Sequence, residues 1–201
     1  MSCWALVPLK ERAACKTRLT AMLSSEGRLR LVRALLGHVI DTLQNTPGID
    51  HIALVSPERD DVATDIALLA RDRHGLNEDL TYALSEATRR GATCALIVPA
   101  DLPLVEPADV SALLGSVKYT GVVLAPDQRD RGTNALALEI PSPLILAFGE
   151  NSFEQHLAQT RSHGIEPAVL RRSGLSFDVD DVEDLHRLRT YPPWAELIGS
   201  T

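Results

Sequence analysis

Residues 93–100 read "TCALIVPA" and run directly into Asp101. From Cys94 to Val98 the side chains are apolar with no polar residue at alternate positions, the pattern of a strand covered on both faces. Such a strand belongs to a largely parallel sheet held between two layers of helices. Read as the central strand, it predicts that strand and helix alternate on either side of it.

Upstream, "GLNED" opens a helix through Leu80, Ala83, Leu84 and Ala87, with Asn77 as its cap and an end near Gly91. Before it, Ser56-Pro57-Glu58 is expected to start another helix with Val62, Ile66 and Leu69 inward, following the buried strand "HIALVS" at 51–56. A helix from Ser24 or Ser25 carries Leu29, Val32, Leu36, Val39, Ile40 and Leu43 at helical spacing and stops before Pro47-Gly48, and Trp4–Leu9 forms the first strand. Downstream come a helix from Pro107 to Leu114 and the strand "GVVLAP" at 121–126. "NALALEI" at 134–140 is expected to add as an antiparallel hairpin partner. Ser152 to Arg161 reads as a helix closed near Gly164, "PAVLRR" at 167–172 as a strand, and "FDVDDVEDLHRL" as a short strand end and a last helix. The expected architecture is one three-layer α/β domain with a mainly parallel sheet over residues 1–190, followed by a loose tail at 191–201.

The charge balance, 20 Lys and Arg against 27 Asp and Glu for a net −7, argues against nucleic acid as a partner, because polyanion binding needs a broad basic surface. Cys3, Cys15 and Cys94 are few and form no CxxC pair, as expected of reduced thiols in the cytoplasm. The opening "MSCWALVPLK" reads as a strand rather than a leader, and no apolar run approaches the ~18 residues of a membrane span. The tail "YPPWAELI" is free to reach a second copy of the chain, as in a homodimer.

Ligands of such sheets lie beyond the carboxyl ends of the strands, where "PLKERAACKTRL", "PADLPLV", "APDQRDRGTN" and "FDVDD" all fall. Asp101, between Pro99 and Pro103, either caps the next helix or offers a hard oxygen ligand suited to Mg2+. Asp178 and Asp180 share a side if their segment is extended and would complete such a site, while Asp180 or Asp181 also suits a helix cap. Lys10, Arg12, Lys16 and Arg18 are then read as contacts to a polyphosphate bridged by the same ion, against the alternative of a solvated loop. "GTN" at 132–134 and "FGENSF" at 148–153 supply small residues and a helix start where an anion can approach the backbone, with Thr133 and Ser152 otherwise ordinary strand-start and cap residues. The six histidines form no zinc pattern, Cys94 reads as packing, and neither GxSxG nor a Walker A sequence occurs.

Taken together and in order, "LVPLKERAACKTRL", "GLNEDL", "VPADLPLV", "GTNAL", "FGENSFEQH" and "FDVDDVEDL" resemble the guanylyltransferase family that makes the phosphodiester precursor of coenzyme F420, over almost the whole chain. The resemblance implies a Rossmann-like, glycosyltransferase-A-type nucleotidyltransferase fold. It also implies Mg2+-assisted transfer of GMP from GTP to a phosphorylated three-carbon acid, with pyrophosphate released. By motif, Asp101 and an aspartate of "FDVD", Asp178 or Asp180, would hold the metal. Thr133, Asn134, Gly149 and Ser152 would hold the acceptor. Lys10, Lys16 and Arg18 would face the triphosphate, with Pro99 beside the nucleotide and Gly75, Leu76 and Asn77 near guanine or ribose. Asp101, Lys16 and Lys10 are the expected catalytic groups. Where the wider superfamily has a GGxxxRxG loop this chain has "PLKERAACK", and where the family often has DTPEDL it has "DDVEDL". Among the acceptors of the family, 3-phospho-D-glycerate is favoured over 2-phospho-L-lactate and phosphoenolpyruvate. The competing readings are transfer to a molybdenum cofactor or sugar phosphate, and a nucleotide-binding regulator without catalysis.

Overall fold

The computed structural model describes residues 2–9, 16–56, 66–69 and 75–199. Within them, seven strands form one sheet in the order β3-β2-β1-β4-β6-β5-β7, so the "TCALIVPA" strand, β4 (Cys94–Ile97), lies in the middle. β1 (Cys3–Pro8) pairs in parallel with both β4 and β2 (His51–Val55), and β5 (Val122–Pro126) pairs in parallel with β7 (Ala168–Val169). β6 (Thr133–Glu139) alone of the described strands runs the other way, inserted between β4 and β5 and antiparallel to both.

Alternation along the strands divides the core. Cys3, Ala5, Val7, Cys94 and Leu96 face one layer with α1 (Ser25–Gln44) and α3 (Pro107–Thr120). Trp4, Leu6, Ala95 and Ile97 face the other, with α2 (Leu76–Arg89) and the start of α4 (Ser152–Ser162). A third cluster lies outside the sheet, where Leu31 and Leu35 of α1 meet Phe177 and Val179, α6 (Val182–Leu188) and α7 (Pro192–Gly199). The central thiols are packing groups: Cys3 and Cys94 are register partners, buried, with their sulfurs 3.4 Å apart.

The three-layer α/β expectation and its mainly parallel sheet hold, and four local readings change. Leu69, expected inside a helix, belongs to β3 (Ala67–Leu69), a short strand parallel to β2; the rest of that predicted helix, 57–65, lies outside the described residues. α2 is capped by Gly75, whose φ of 110° suits glycine, and not by Asn77. "FDV" is not a strand, and a single turn, α5 (Ser173–Ser176), precedes it. The tail expected to be loose is helix α7, with Trp194 and Ile198 buried against the chain's own core. No described helix is long and apolar enough to cross a membrane.

Candidate active site

Because β6 is reversed, its first residues, Thr133 and Asn134, emerge at the same sheet edge as the carboxyl ends of β1 and β4. A cleft of about 760 Å3 opens there, lined by Lys16, Thr17, Arg18, Leu76, Pro99, Asp101, Arg131 to Asn134, Phe148 to Ser152, Asp178 and Asp180. Every predicted site residue among the described ones lines this cleft except Gly75 and Asn77, which flank Leu76. Lys10, like Arg12, lies outside the described residues. A second hollow, of about 590 Å3 at the amino ends of β1 and β2, carries none of these groups.

At one end of the cleft the Lys16 ammonium sits 2.7 Å from Asp101 and 3.2 Å from Asp180. Burial pulls its pKa down, but the two carboxylates outweigh burial and hold it above the ordinary lysine value, so the side chain stays charged. Lys16 also adopts a left-handed φ of 51°, which a non-glycine residue keeps when its contacts over-determine it. Neither Asp101 nor Asp180 is a cap. α3 is capped by a box of Glu106 and Asp109, and α6 by Asp181, whose carboxylate accepts from the backbone N–H groups of Glu183 and Asp184. Asp178 lies deeper. Burial first, then the charges of Asp101 and Asp180, raise its pKa to about 7, against an opposing hydrogen bond of 3.2 Å from Asn134 Nδ2. Asn134 gives its other hydrogen to the Ser176 carbonyl, so its amide nitrogen holds Asp178 in place.

Among the described residues no three His, Cys, Asp or Glu side chains form a ready-made metal cage. Mg2+ does not need one, since it takes one or two carboxylates and completes its shell with phosphate oxygens and water. Asp178 supplies the test on this structure: a carboxylate disfavoured by two neighbouring negative charges is stabilised by a hard divalent cation, so the residues present fit the ion.

At the other end, two hydroxyls meet. Ser152 Oγ accepts from the Thr133 backbone N–H at 2.8 Å, and Thr133 Oγ1 lies 3.0 Å from His156 Nδ1. Ser152 is the first residue of α4 and not its cap, which is Asn151 in a left-handed conformation. Gly149 has φ 134° and its carbonyl accepts from Ser152 N–H, so the turn needs glycine for its backbone rather than for space. Gly132 has another reason. A Cβ there would come within 3.0 Å of an Asp127 oxygen, and Asp127 accepts from the N–H groups of Arg129, Arg131 and Gly132, so Gly132 N–H is occupied within the loop and is not offered to an anion. Asn77 is equally committed, donating to the Phe148 carbonyl at 3.0 Å and accepting from Phe148 N–H at 2.8 Å.

Sequence reasoning missed three groups. His156 closes the "FGENSFEQH" motif, yet nothing in the motif gave it a role. Arg131 stood beside "GTN" and has no ion-pair partner among the described residues. Asp127 became legible only once its loop was seen to close on it.

A profile described as guanylyl transferase CofC like matches residues 3–191. The chain is 41% identical over 198 residues to a phosphoenolpyruvate guanylyltransferase of Sphaerobacter thermophilus, spanning 96% of this chain and 95% of that one. It is 34% identical over 193 residues to a 2-phospho-L-lactate guanylyltransferase of Methanothermobacter thermautotrophicus, spanning 92% and 83%. The backbone superposes on a proposed nucleotide-diphospho-sugar transferase from Desulfovibrio desulfuricans G20 with a TM-score of 0.81 over 100% of this chain and 98% of that one, at 20% identity, which shows the shared fold. With a profile that spans nearly all of it and full-length relatives at this identity, the chain belongs to the CofC-like guanylyltransferase family.

Proposed function

We propose that this guanylyltransferase joins the GMP part of GTP to the phosphate of a three-carbon phospho-acid, with phosphoenolpyruvate the first candidate, and releases pyrophosphate with the help of Mg2+. The observation that carries the reading is the division of one cleft into a carboxylate–lysine end and a hydroxyl end. Membership of the family supports guanylyl transfer, and the name of the 41% identical relative favours phosphoenolpyruvate over the 3-phospho-D-glycerate expected above.

Asp101 and Asp178, with Asp180 at the rim, would hold the Mg2+, which when bound neutralises phosphate charge. Lys16 adds a fixed positive charge beside them, and exposed Arg18 flanks it in the 3-10 turn Thr17–Leu19. The acceptor's phosphate oxygen attacks the α-phosphorus of GTP; the new P–O bond forms as the bond to the β-phosphate oxygen breaks, and pyrophosphate leaves with that electron pair. A phosphate dianion needs no deprotonation, so positioning and charge neutralisation supply the rate. His156, the titratable ring nearest the acceptor end, is fully buried, and burial lowers its pKa to about 4, which keeps it out of proton transfer at neutral pH.

Pyrophosphate release and product mass, measured with GTP, Mg2+ and each of phosphoenolpyruvate, 2-phospho-L-lactate and 3-phospho-D-glycerate, test the reading. Release is expected fastest with phosphoenolpyruvate and absent once a chelator removes Mg2+. A protein that binds GTP but releases nothing with any of the three acids would overturn it.

A further inference from the structure

We infer that His156 is a positioning residue for the acceptor: it fixes the direction of the Thr133 hydroxyl hydrogen, so that Thr133 meets the substrate as a donor. The inference rests on the reading of Thr133 and Ser152 as the acceptor end of the cleft.

The Ala147 backbone N–H points at His156 Nε2 from 3.0 Å. A ring nitrogen that receives an N–H must carry a lone pair, so the hydrogen of the neutral ring is on Nδ1. Protonating Nε2 would set two donors against each other in a wholly buried place, and burial itself disfavours the imidazolium. Nδ1–H therefore donates to Thr133 Oγ1 at 3.0 Å. With an accepting site of Oγ1 filled from behind, the hydroxyl hydrogen is turned away from the ring, and Thr133 lines the cleft. The same logic holds one residue away in space. Ser152 Oγ accepts from Thr133 N–H, so its hydrogen too is left to donate. Two neighbouring hydroxyls, each accepting one hydrogen bond from within the protein, keep their hydrogens to donate, which suits phosphate or carboxylate oxygens. Phe148, edge-on to the imidazole with ring centres 5.2 Å apart, restricts its rotation.

Two substitutions separate the ring's two contacts. H156N places an amide nitrogen where Nδ1 was and retains donation to Thr133; H156Q retains an oxygen for the Ala147 N–H and loses the donor. H156Q is expected to raise KM for phosphoenolpyruvate about tenfold with KM for GTP unchanged, the scale of one hydrogen bond to a charged group. H156N should recover most of that loss. In a T133V background H156Q should change nothing further, because His156 acts through the missing hydroxyl. An undiminished tenfold effect of H156Q on top of T133V would overturn the inference, since the ring would then act by packing alone.

A second readout uses the native chain. Its side-chain 15N resonances should show the Nδ1–H form of His156 at both pH 8 and pH 5.5. An Nε2–H form, or titration between those values, overturns the inference whatever the variants do, including failure to fold. If the native chain guanylylates none of the acids, the functional reading fails, and the tautomer alone decides whether His156 directs Thr133.

Discussion

Asp178 is where stability and chemistry oppose each other most clearly in a single residue. Its pKa, raised from 3.8 to about 7, means that the folded chain retains a proton which the unfolded chain has released across that interval. The stability contributed by this proton is complete below 3.8 and is lost as the pH rises through about 7. With a chelator present, Asp178→Asn should therefore stabilise the protein at pH 8 by on the order of 1–2 kcal/mol after screening, roughly 3–6 °C in Tm for a chain of this size. The gain should vanish near pH 4, and the amide oxygen can still accept from Asn134. Turnover should nonetheless fall at least about a hundredfold, the scale of losing one charge-stabilising group. Thermal melts at the two pH values check the first half. A variant less stable than the native protein at pH 8 would show that Asp178 serves the fold and not the ion.

Among the elements, the junction of α2 with the 148–152 turn decides between two roles for one asparagine. From its motif Asn77 was expected near guanine or ribose, yet its amide is matched donor to acceptor with the Phe148 peptide, bracing the 148–152 turn from the first turn of α2. Asn77→Ala should leave both Phe148 groups without their partner, cost about 1–2 kcal/mol in stability and raise KM for the phospho-acid more than KM for GTP. The opposite ordering of the two KM values would restore the guanine contact. The example also shows what was legible. Asp101 could be found because a strand-end carboxylate after an uninterrupted apolar run has one place to go. The contacts of Asn77, Gly132 and His156 could not, because asparagine, glycine and histidine each have a common local use, and their partners Phe148, Asp127 and Thr133 come from a distant helix or turn, from a loop closing on itself, or from another strand. β3 was missed for a different reason: three residues are too few to show a strand period, while Ile66 and Leu69 satisfy a helical one.

For the whole molecule, the layered order of strands and helices followed from apolar runs and periodicity, because each buried face needs a covering layer. What periodicity could not convey was how the chain's end closes the structure. "YPPWAELI" was expected to be a loose tail, but proline is tolerated in the first turn of a helix, and α7 begins on Pro192. The helix then places Trp194 against α1, with its ring edge-on to His38 at 5.7 Å, and sends the indole N–H 3.1 Å to the Pro103 carbonyl, inside the same "PADLPL" loop that holds Asp101. The C-terminal helix thus supports the Asp101 loop from behind, and the two should weaken together. Trp194→Ala should cost about 3 kcal/mol, or roughly 6–12 °C in Tm. Trp194→Phe keeps most of the ring packing and loses only the hydrogen bond, so it should retain most of that stability while raising the Mg2+ concentration needed for half-maximal turnover. Melting curves and Mg2+ titrations of the two variants measure these effects separately. If Trp194→Phe matches the native protein in its Mg2+ requirement, α7 only fills the core, and support of the Asp101 loop must come from the buried side chains of Leu102 and Val105.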